Sequence, residues 1–198
     1  MSVRVIAGAE VDERATIGDG STIWHLAQIR ENAQLGRNCV VGRGAYIGPG
    51  VCIGDNVKIQ NLALVYDPAQ IGNGVFIGPA AVLTNDVYPR SVDITGCSKN
   101  ASDWESLGVT VDEGASIGAR SVVLAGVSIG AWALIGAGAV VVRDVPAHAL
   151  FVGNPACQKG WVGRFGVQLQ QEGKSHWRCP ETGEIYLESS DKLTLVSS

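Results

Sequence analysis

VGRGAYIGPGVCIGDNVKIQNLALVYDPAQIGNGVFIGPAAVL, residues 41–83, places a branched aliphatic at every sixth position: Val41, Ile47, Ile53, Ile59, Val65, Ile71, Ile77 and Leu83. Toward the N-terminus the count continues unbroken through Leu35, Ile29, Ile23, Ile17 and Val11 to Val5. Toward the C-terminus it stops, then resumes as Val111, Ile117, Val123, Ile129, Ile135 and Val141. Four residues after each aliphatic stands a small or short side chain, in the quoted stretch Ala45, Val51, Val57, Ala63, Ala69, Val75 and Ala81.

A period of six is neither the three-and-four spacing of a helix face nor the alternation of a half-buried strand. It is the period of hexapeptide β-helices, in which short parallel strands wind about one axis and each coil stacks on the next. The expected fold is therefore all-β, a parallel β-helix whose aliphatics point inward and form one continuous apolar column. Each fully buried aliphatic contributes roughly 1.5–3 kcal/mol. The small residue is expected where the chain turns a corner, and the Gly that often follows the aliphatic is expected to relax the backbone there.

At 198 residues, 46 % hydrophobic, 17 % charged and with 26 glycines, the composition suits one compact solenoid. A net charge of −4 offers no basic stripe for nucleic acid. No apolar run approaches the roughly 18 residues of a membrane span. The opening MSVRVIAGAE enters the repeat at once with no signal-peptide pattern, so a cytoplasmic location is expected. The five cysteines, Cys39, Cys52, Cys97, Cys157 and Cys179, include no CxxC pair, so neither a disulfide framework nor a zinc ribbon is expected. Cys39 falls in the small-residue column and reads as a buried hydrophobe.

Between Leu83 and Val111 the register is lost and returns shifted by four, so residues 85–108 are expected to leave the solenoid as a long loop, a feature more often functional than idle. The division expected is a β-helix domain over 1–145, with that loop inserted, and a small C-terminal cap over 146–198. Within the cap, WVGRFGVQLQQEGKSHWRCPETGEIYLE reads as a short helix and a short hairpin turning at Glu181–Gly183.

The hexapeptides, together with IGAGAVVVRDVPAHALFVGNPA at 135–156, resemble the hexapeptide-repeat acyltransferases. That resemblance implies a left-handed parallel β-helix, a homotrimer and acyl-coenzyme A bound between subunits. The handedness comes from the family, since the general rule for crossover connections favours the opposite hand. STIWHLAQI (21–29), VKIQN (57–61), FIGPAAVLTNDVYPRS (76–91) and the tail GWVGRFG with CPETGEIY are similar to the branch that acetylates the 3-amino group of nucleotide-linked sugars. The chain departs from that branch where Leu62 and Leu64 follow KIQN, and where acidic Asp112 and Glu113 replace a usually basic stretch.

The implied reaction is transfer of acetyl from acetyl-CoA to the 3-amino group of a dTDP- or UDP-linked sugar, without a metal. Such transfer needs a neutral amine held near the thioester, a donor for the developing oxyanion and an outlet for a proton. Asn85 matches the branch's TN motif and is expected to orient the amine or the thioester carbonyl. His25 is a candidate base, sugar ligand or interface residue. Trp24, Arg30, Asn61, Tyr66, Thr84, Tyr88 and Arg90 are the candidates for sugar-nucleotide contact. Gly118, Ala119, Gly136 and Ala137 offer bare backbone to a pantetheine arm, and Arg143 and Lys159 are candidates for its phosphates.

Three rival readings remain. A γ-type carbonic anhydrase would need three zinc-binding histidines between subunits, and only His25, His148 and His176 exist. A noncatalytic β-helix subunit would bind without turnover. An O-acetyltransferase on the same scaffold would depend on a His base.

Overall fold

The computed structural model describes residues 2–100, 103, 105–190 and 192–197. Within them the chain is all strand and forms a left-handed parallel β-helix of about eight turns. Each coil contributes one two-residue strand to each of three faces. Face A begins Arg4–Val5, Thr22–Ile23, Val40–Val41; face B begins Glu10–Val11, Gln28–Ile29, Tyr46–Ile47; face C begins Thr16–Ile17, Gln34–Leu35, Cys52–Ile53. Three hexapeptides make one coil, so stacked residues are eighteen apart, as in the pairs Lys58 with Phe76 and Leu64 with Val82.

The second residue of each strand is the aliphatic of the sixfold count, and from Ile23 to Val141 these residues are buried, together with the small-residue column. Val5, on the outermost coil, is 49 % exposed because nothing stacks beyond it. The first residue of each strand faces out. On face B these outward residues become apolar along the axis: Tyr46, Leu64, Val82, Val122 and Val140, all half-buried.

The glycines after the aliphatics have a different cause from the one expected. Gly18, Gly36, Gly54, Gly78 and Gly118 keep a negative φ, and a Cβ on Gly118 would lie 2.4 Å from the backbone nitrogen of Ala137 on the next coil. They are glycine because adjacent coils approach too closely for a side chain. The left-handed conformation falls two residues later, at Gly20, Gly44, Gly50, Leu26, Asn32, Asn38, Asn56 and Leu62 among others.

Residues 85–108 leave at the edge between faces B and C and return to the same rung, with 101, 102 and 104 outside the described residues. The arm is an irregular antiparallel excursion closed by bridges Asp86–Ser106 and Val92–Ser98. Its tip turns at Asp93, whose carboxylate accepts from the backbone N–H groups of Thr95 and Cys97, and Ile94 there is fully exposed. The stack beneath is undisturbed: Gln70 pairs with Thr110 and Val82 with Val122.

Beyond the last coil, Ala149–Gly153 pairs with Ala156–Trp161, and a four-stranded antiparallel sheet follows: Gln170–Glu172, His176–Arg178, Ile185–Ser189 and Lys192–Ser197. The expected hairpin is present, its turn at residues 180–182 joining the second and third of these strands. The expected short helix is not present among the described residues. Gly163 and Gly166 lower helix propensity there, Gly166 with φ +86°, and Val167, Gln168, Leu169 and Gln170 alternate in burial as a strand does.

The sheet is joined to the last coil by a buried cluster. His148 Nδ1 donates to the Val162 carbonyl at 3.0 Å, and its ring meets Tyr186 edge-on at 5.3 Å. The Tyr186 hydroxyl donates to Glu184 at 2.6 Å, and the Arg164 guanidinium pairs with the same carboxylate. Burial holds His148 below the ordinary imidazole pKa, while the hydrogen bonds from Tyr186 and Arg164 hold Glu184 below the usual carboxylate range. A base with a depressed folded pKa costs stability as pH falls below its unfolded value near 6.5, because only the unfolded chain takes the proton there. Glu184 begins to titrate only at lower pH. Thermal melts should therefore show a loss of stability from pH 7 to pH 5 that a His148→Gln variant reduces; parallel profiles for the two proteins would contradict this.

Candidate functional site

Eighteen-residue stacking sorts the candidates onto edges. The edge between faces A and B consists of the three-residue corners 6–8, 24–26, 42–44, 60–62, 78–80, 118–120 and 136–138. His25, Arg43 and Asn61 stand directly above one another on it, with Trp24, Gly42 and Gln60 in the neighbouring column. Together with Val40 and Ile59 these residues line a cavity of about 300 Å³. Trp24, 38 % exposed, has the Arg4 guanidinium over its ring, 5.9 Å from the centroid.

Asn61 has a structural task as well as an exposed position. Its Oδ1 accepts from the Arg43 backbone N–H at 2.9 Å, the device used on the edge between faces C and A by Asp55 toward Arg37 and by Asn73 toward Asp55. Higher on the A–B edge the corners turn small: Gly118 and Ala119, then Gly136 and Ala137. Ala137 and Gly138 are exposed, and a Cβ on Gly138 would meet nothing within 4 Å. A slender chain can lie against backbone there.

The edge between faces B and C gathers another set. Arg30 pairs with Glu31 at 2.8 Å and lies beside Tyr46, whose ring meets that of Tyr66 at 5.3 Å. Burial pushes the Tyr46 phenol up, against the opposing effect of Arg30. One coil further, Thr84 Oγ1 donates to the Val123 carbonyl at 3.2 Å, and Asn85, only 9 % exposed, begins the arm. Asn85 Nδ2 donates to Ser106 Oγ at 3.0 Å, Ser106 Oγ donates to the Asp67 carbonyl at 3.2 Å, and the Asn85 carbonyl accepts from Leu107 N–H. These bonds close the base of the arm onto the coil below.

Tyr88 is 81 % exposed, and with Asp86, Lys99 and Asp103 it lines an arm cavity of about 290 Å³. Arg90 bonds the adjacent Pro89 carbonyl at 3.0 Å. Arg143, on the B–C edge of the last coil, directs a guanidinium N–H to Cys157 Sγ at 3.5 Å, two residues from exposed Lys159. A shallow depression of about 640 Å³ runs over the polar outward residues of face C, Gln34, Cys52, Gln70 and Thr110 among them, and holds none of the candidates.

Within one chain the structure thus unites Trp24, His25 and Asn61, and separately Arg30, Tyr66, Thr84 and Asn85. It does not bring His25 to Asn85, which occupy different edges three coils apart, roughly 14 Å along the axis at about 4.8 Å per coil. Sequence reading passed over Arg43, although the interval from His25 to Arg43 to Asn61 is eighteen at each step. His25, His148 and His176 lie on the second coil, the last coil and the terminal sheet, and among the described residues no group of three His, Cys, Asp or Glu converges on a metal position.

Comparison with known proteins agrees with the coil pattern. Residues 14–49, 50–85 and 108–143 match the model of the bacterial transferase hexapeptide (six repeats) family. Over 59 residues, 29 % of this chain and 31 % of the relative, the sequence is 59 % identical to dTDP-3-amino-3,6-dideoxy-alpha-D-galactopyranose 3-N-acetyltransferase of Aneurinibacillus thermoaerophilus. Over 86 residues, 43 % of this chain and 26 % of the relative, it is 41 % identical to serine acetyltransferase 2 of Arabidopsis thaliana. Among solved structures, PerB from Caulobacter crescentus in complex with CoA and GDP-perosamine superposes with TM-score 0.50 at 26 % identity, covering 81 % of this chain and 58 % of that one. Each match spans less than two thirds of the other protein.

Proposed function

Because this chain belongs to the bacterial transferase hexapeptide family, we propose that it transfers an acetyl group from acetyl-CoA to the 3-amino group of a dTDP- or UDP-linked amino sugar. The observation that carries the reading is the 59 % identity to a dTDP-3-amino-sugar N-acetyltransferase. The layout of the prism supports it. Polar and aromatic corners (Trp24, His25, Asn61) occupy the early coils, Asn85 stands midway, and the small corners at Gly118 and Gly136 follow. In this reading the sugar nucleotide takes the early coils and the acyl donor the late ones.

Asn85 orients the amine or the thioester carbonyl where the two substrates meet, with Thr84, Tyr88 and Arg90 beside it. Bare backbone at Gly118, Ala119, Gly136 and Ala137 takes the pantetheine arm, and Arg143 and Lys159 face its phosphates. A hexosamine amine is already partly neutral near pH 7–8, so positioning carries much of the catalysis and no strong base is required. His25, three coils away from Asn85, is then a substrate-positioning group.

A homotrimer completes the proposal. Single-chain geometry divides the candidates between two edges, and the apolar outward residues of face B form a surface that further copies would cover. The serine acetyltransferase similarity favours a second reading, O-acetylation of a hydroxyl, with His25 as an indispensable base.

The deciding experiment follows thiol release from acetyl-CoA by the purified protein, against dTDP- and UDP-linked 3-amino sugars, with 4-amino sugars and serine as controls. Release with one 3-amino sugar and an N-acetylated product is expected. O-acetylated product, lost in a His25→Ala variant, would establish the second reading instead, and silence across the panel would leave neither standing.

A further inference from the structure

The A–B edge is sorted by charge in a protein whose net charge is −4. Its seven corners read IAG, WHL, GRG, QNL, GPA, GAR and GAG, with two arginines, one histidine and no carboxylate. The C–A edge, by contrast, carries Asp19, Asp55, Asp112 and Glu113. Four of the other arginines, Arg14, Arg30, Arg164 and Arg178, each hold a carboxylate. Among the described residues the Arg43 guanidinium has no such partner, and it borders the 300 Å³ cavity lined by Trp24 and His25.

We propose that Arg43 binds the diphosphate of the nucleotide substrate and that Trp24 stacks on its base. This inference rests on the nucleotide-sugar reading and assigns the recognition residues within it. Along the axis the aromatic ring of coil two, the guanidinium of coil three and the amide of Asn61 on coil four succeed one another, in the order base, diphosphate, sugar. Asn85 stands at the height of coil five but on the B–C edge, so the Asn85 that meets the amine would be a neighbouring copy's in the proposed trimer. From coil two to coil five the rise along the axis is roughly 14 Å, which suits the length of a nucleoside diphosphate sugar.

The backbone of Arg43 is pinned by Asn61 Oδ1 between Gly42 and Gly44, so the root of its side chain is fixed before any ligand arrives. A planar guanidinium suits two phosphate oxygens at once, and the absence of a competing carboxylate leaves it free to do so.

The test measures binding of UDP and dTDP, without sugar, to the full chain by calorimetry, alongside binding of acetyl-CoA. Arg43→Gln is expected to weaken the preferred nucleotide by about tenfold or more, the loss typical of removing a charge-assisted contact. Arg43→Lys should recover part of it, acetyl-CoA binding should be unchanged, and Trp24→Leu should weaken the nucleotide but not inorganic pyrophosphate. Arg37→Gln, which removes an unpaired arginine from the C–A edge, should change nothing.

Equal nucleotide affinity in Arg43→Gln and Arg37→Gln would overturn the assignment. So would loss of acetyl-CoA rather than nucleotide binding, or no nucleoside diphosphate binding by a wild-type protein that still turns over an amino sugar. That last result would leave the acetyltransferase reading intact, whereas nucleotide binding without turnover of any amino sugar would count against the reaction and not against Arg43.

Discussion

Replacing Asn85 with alanine is expected to lower kcat/KM for acetyl transfer to the 3-amino sugar by about 10²–10³, the range found when one preorganised polar group is removed from a developing charge. The competing explanation is architectural, since Asn85 Nδ2 donates to Ser106 and so ties down the arm. Ser106→Ala separates the two. It removes the same hydrogen bond and the link to the Asp67 carbonyl, yet leaves the Asn85 amide in place. Melting temperatures of the two variants should fall by similar amounts, while turnover should fall much further in Asn85→Ala. Equal loss of turnover would reduce Asn85 to a residue that shapes the arm.

A large stability effect is expected from one added methyl. At Gly36 a Cβ would lie 2.3 Å from Asp55 Oδ1 and 2.6 Å from the Gly54 carbonyl carbon, at a φ any residue can adopt. Gly36→Ala must push two coils apart along a close-packed stack, at a cost of about 3 kcal/mol and roughly 6–12 °C in Tm. Gly50 presents the opposite case, with φ +64° and nothing within 4 Å of a Cβ. Gly50→Ala should cost only about 1–2 kcal/mol, the ordinary strain of a left-handed residue, and Gly50→Asn less, since Asn32, Asn38 and Asn56 already adopt that conformation. Calorimetric melts of the three variants check the ranking, and a Gly36→Ala protein as stable as Gly50→Asn would refute the coil-contact account.

The fold was legible because a sixfold aliphatic count admits one architecture, and the loss of register after Leu83 marked where the arm leaves. The reason for the glycines was not legible. A glycine required by coil-to-coil approach, such as Gly36, and one required by a left-handed turn, such as Gly50, are the same letter, and only the φ angle separates them. The terminal helix was misread because Val162, Val167 and Leu169 are too few to distinguish a helix face from alternating strands when glycines interrupt them.

The site was legible as a roster and not as a map. Counting by six finds the rungs, whereas counting by eighteen finds the edges. His25 and Asn85 are sixty residues apart, not a multiple of eighteen, which already assigns them to different edges, and the same count aligns Arg43 with His25 and Asn61. What no count reveals is that Asn61 and Asn85 each hold backbone or arm in place through the side-chain atoms a substrate would meet.

The arm leaves the prism and rejoins it without disturbing a single stacked pair on either side, Val82 with Val122 or Gln70 with Thr110. Its length and composition are consequently decoupled from the stability of the barrel that bears it, because lengthening a closed loop costs only about 0.6 kcal/mol per doubling. Mutational change falls on two separate accounts: a substitution among the rungs is felt by the whole stack, while an insertion or deletion between Asp86 and Leu107 alters what passes over the B–C edge and little else. A scaffold of this kind can hold its own shape constant while its recognition of new molecules is rewritten in one exchangeable segment.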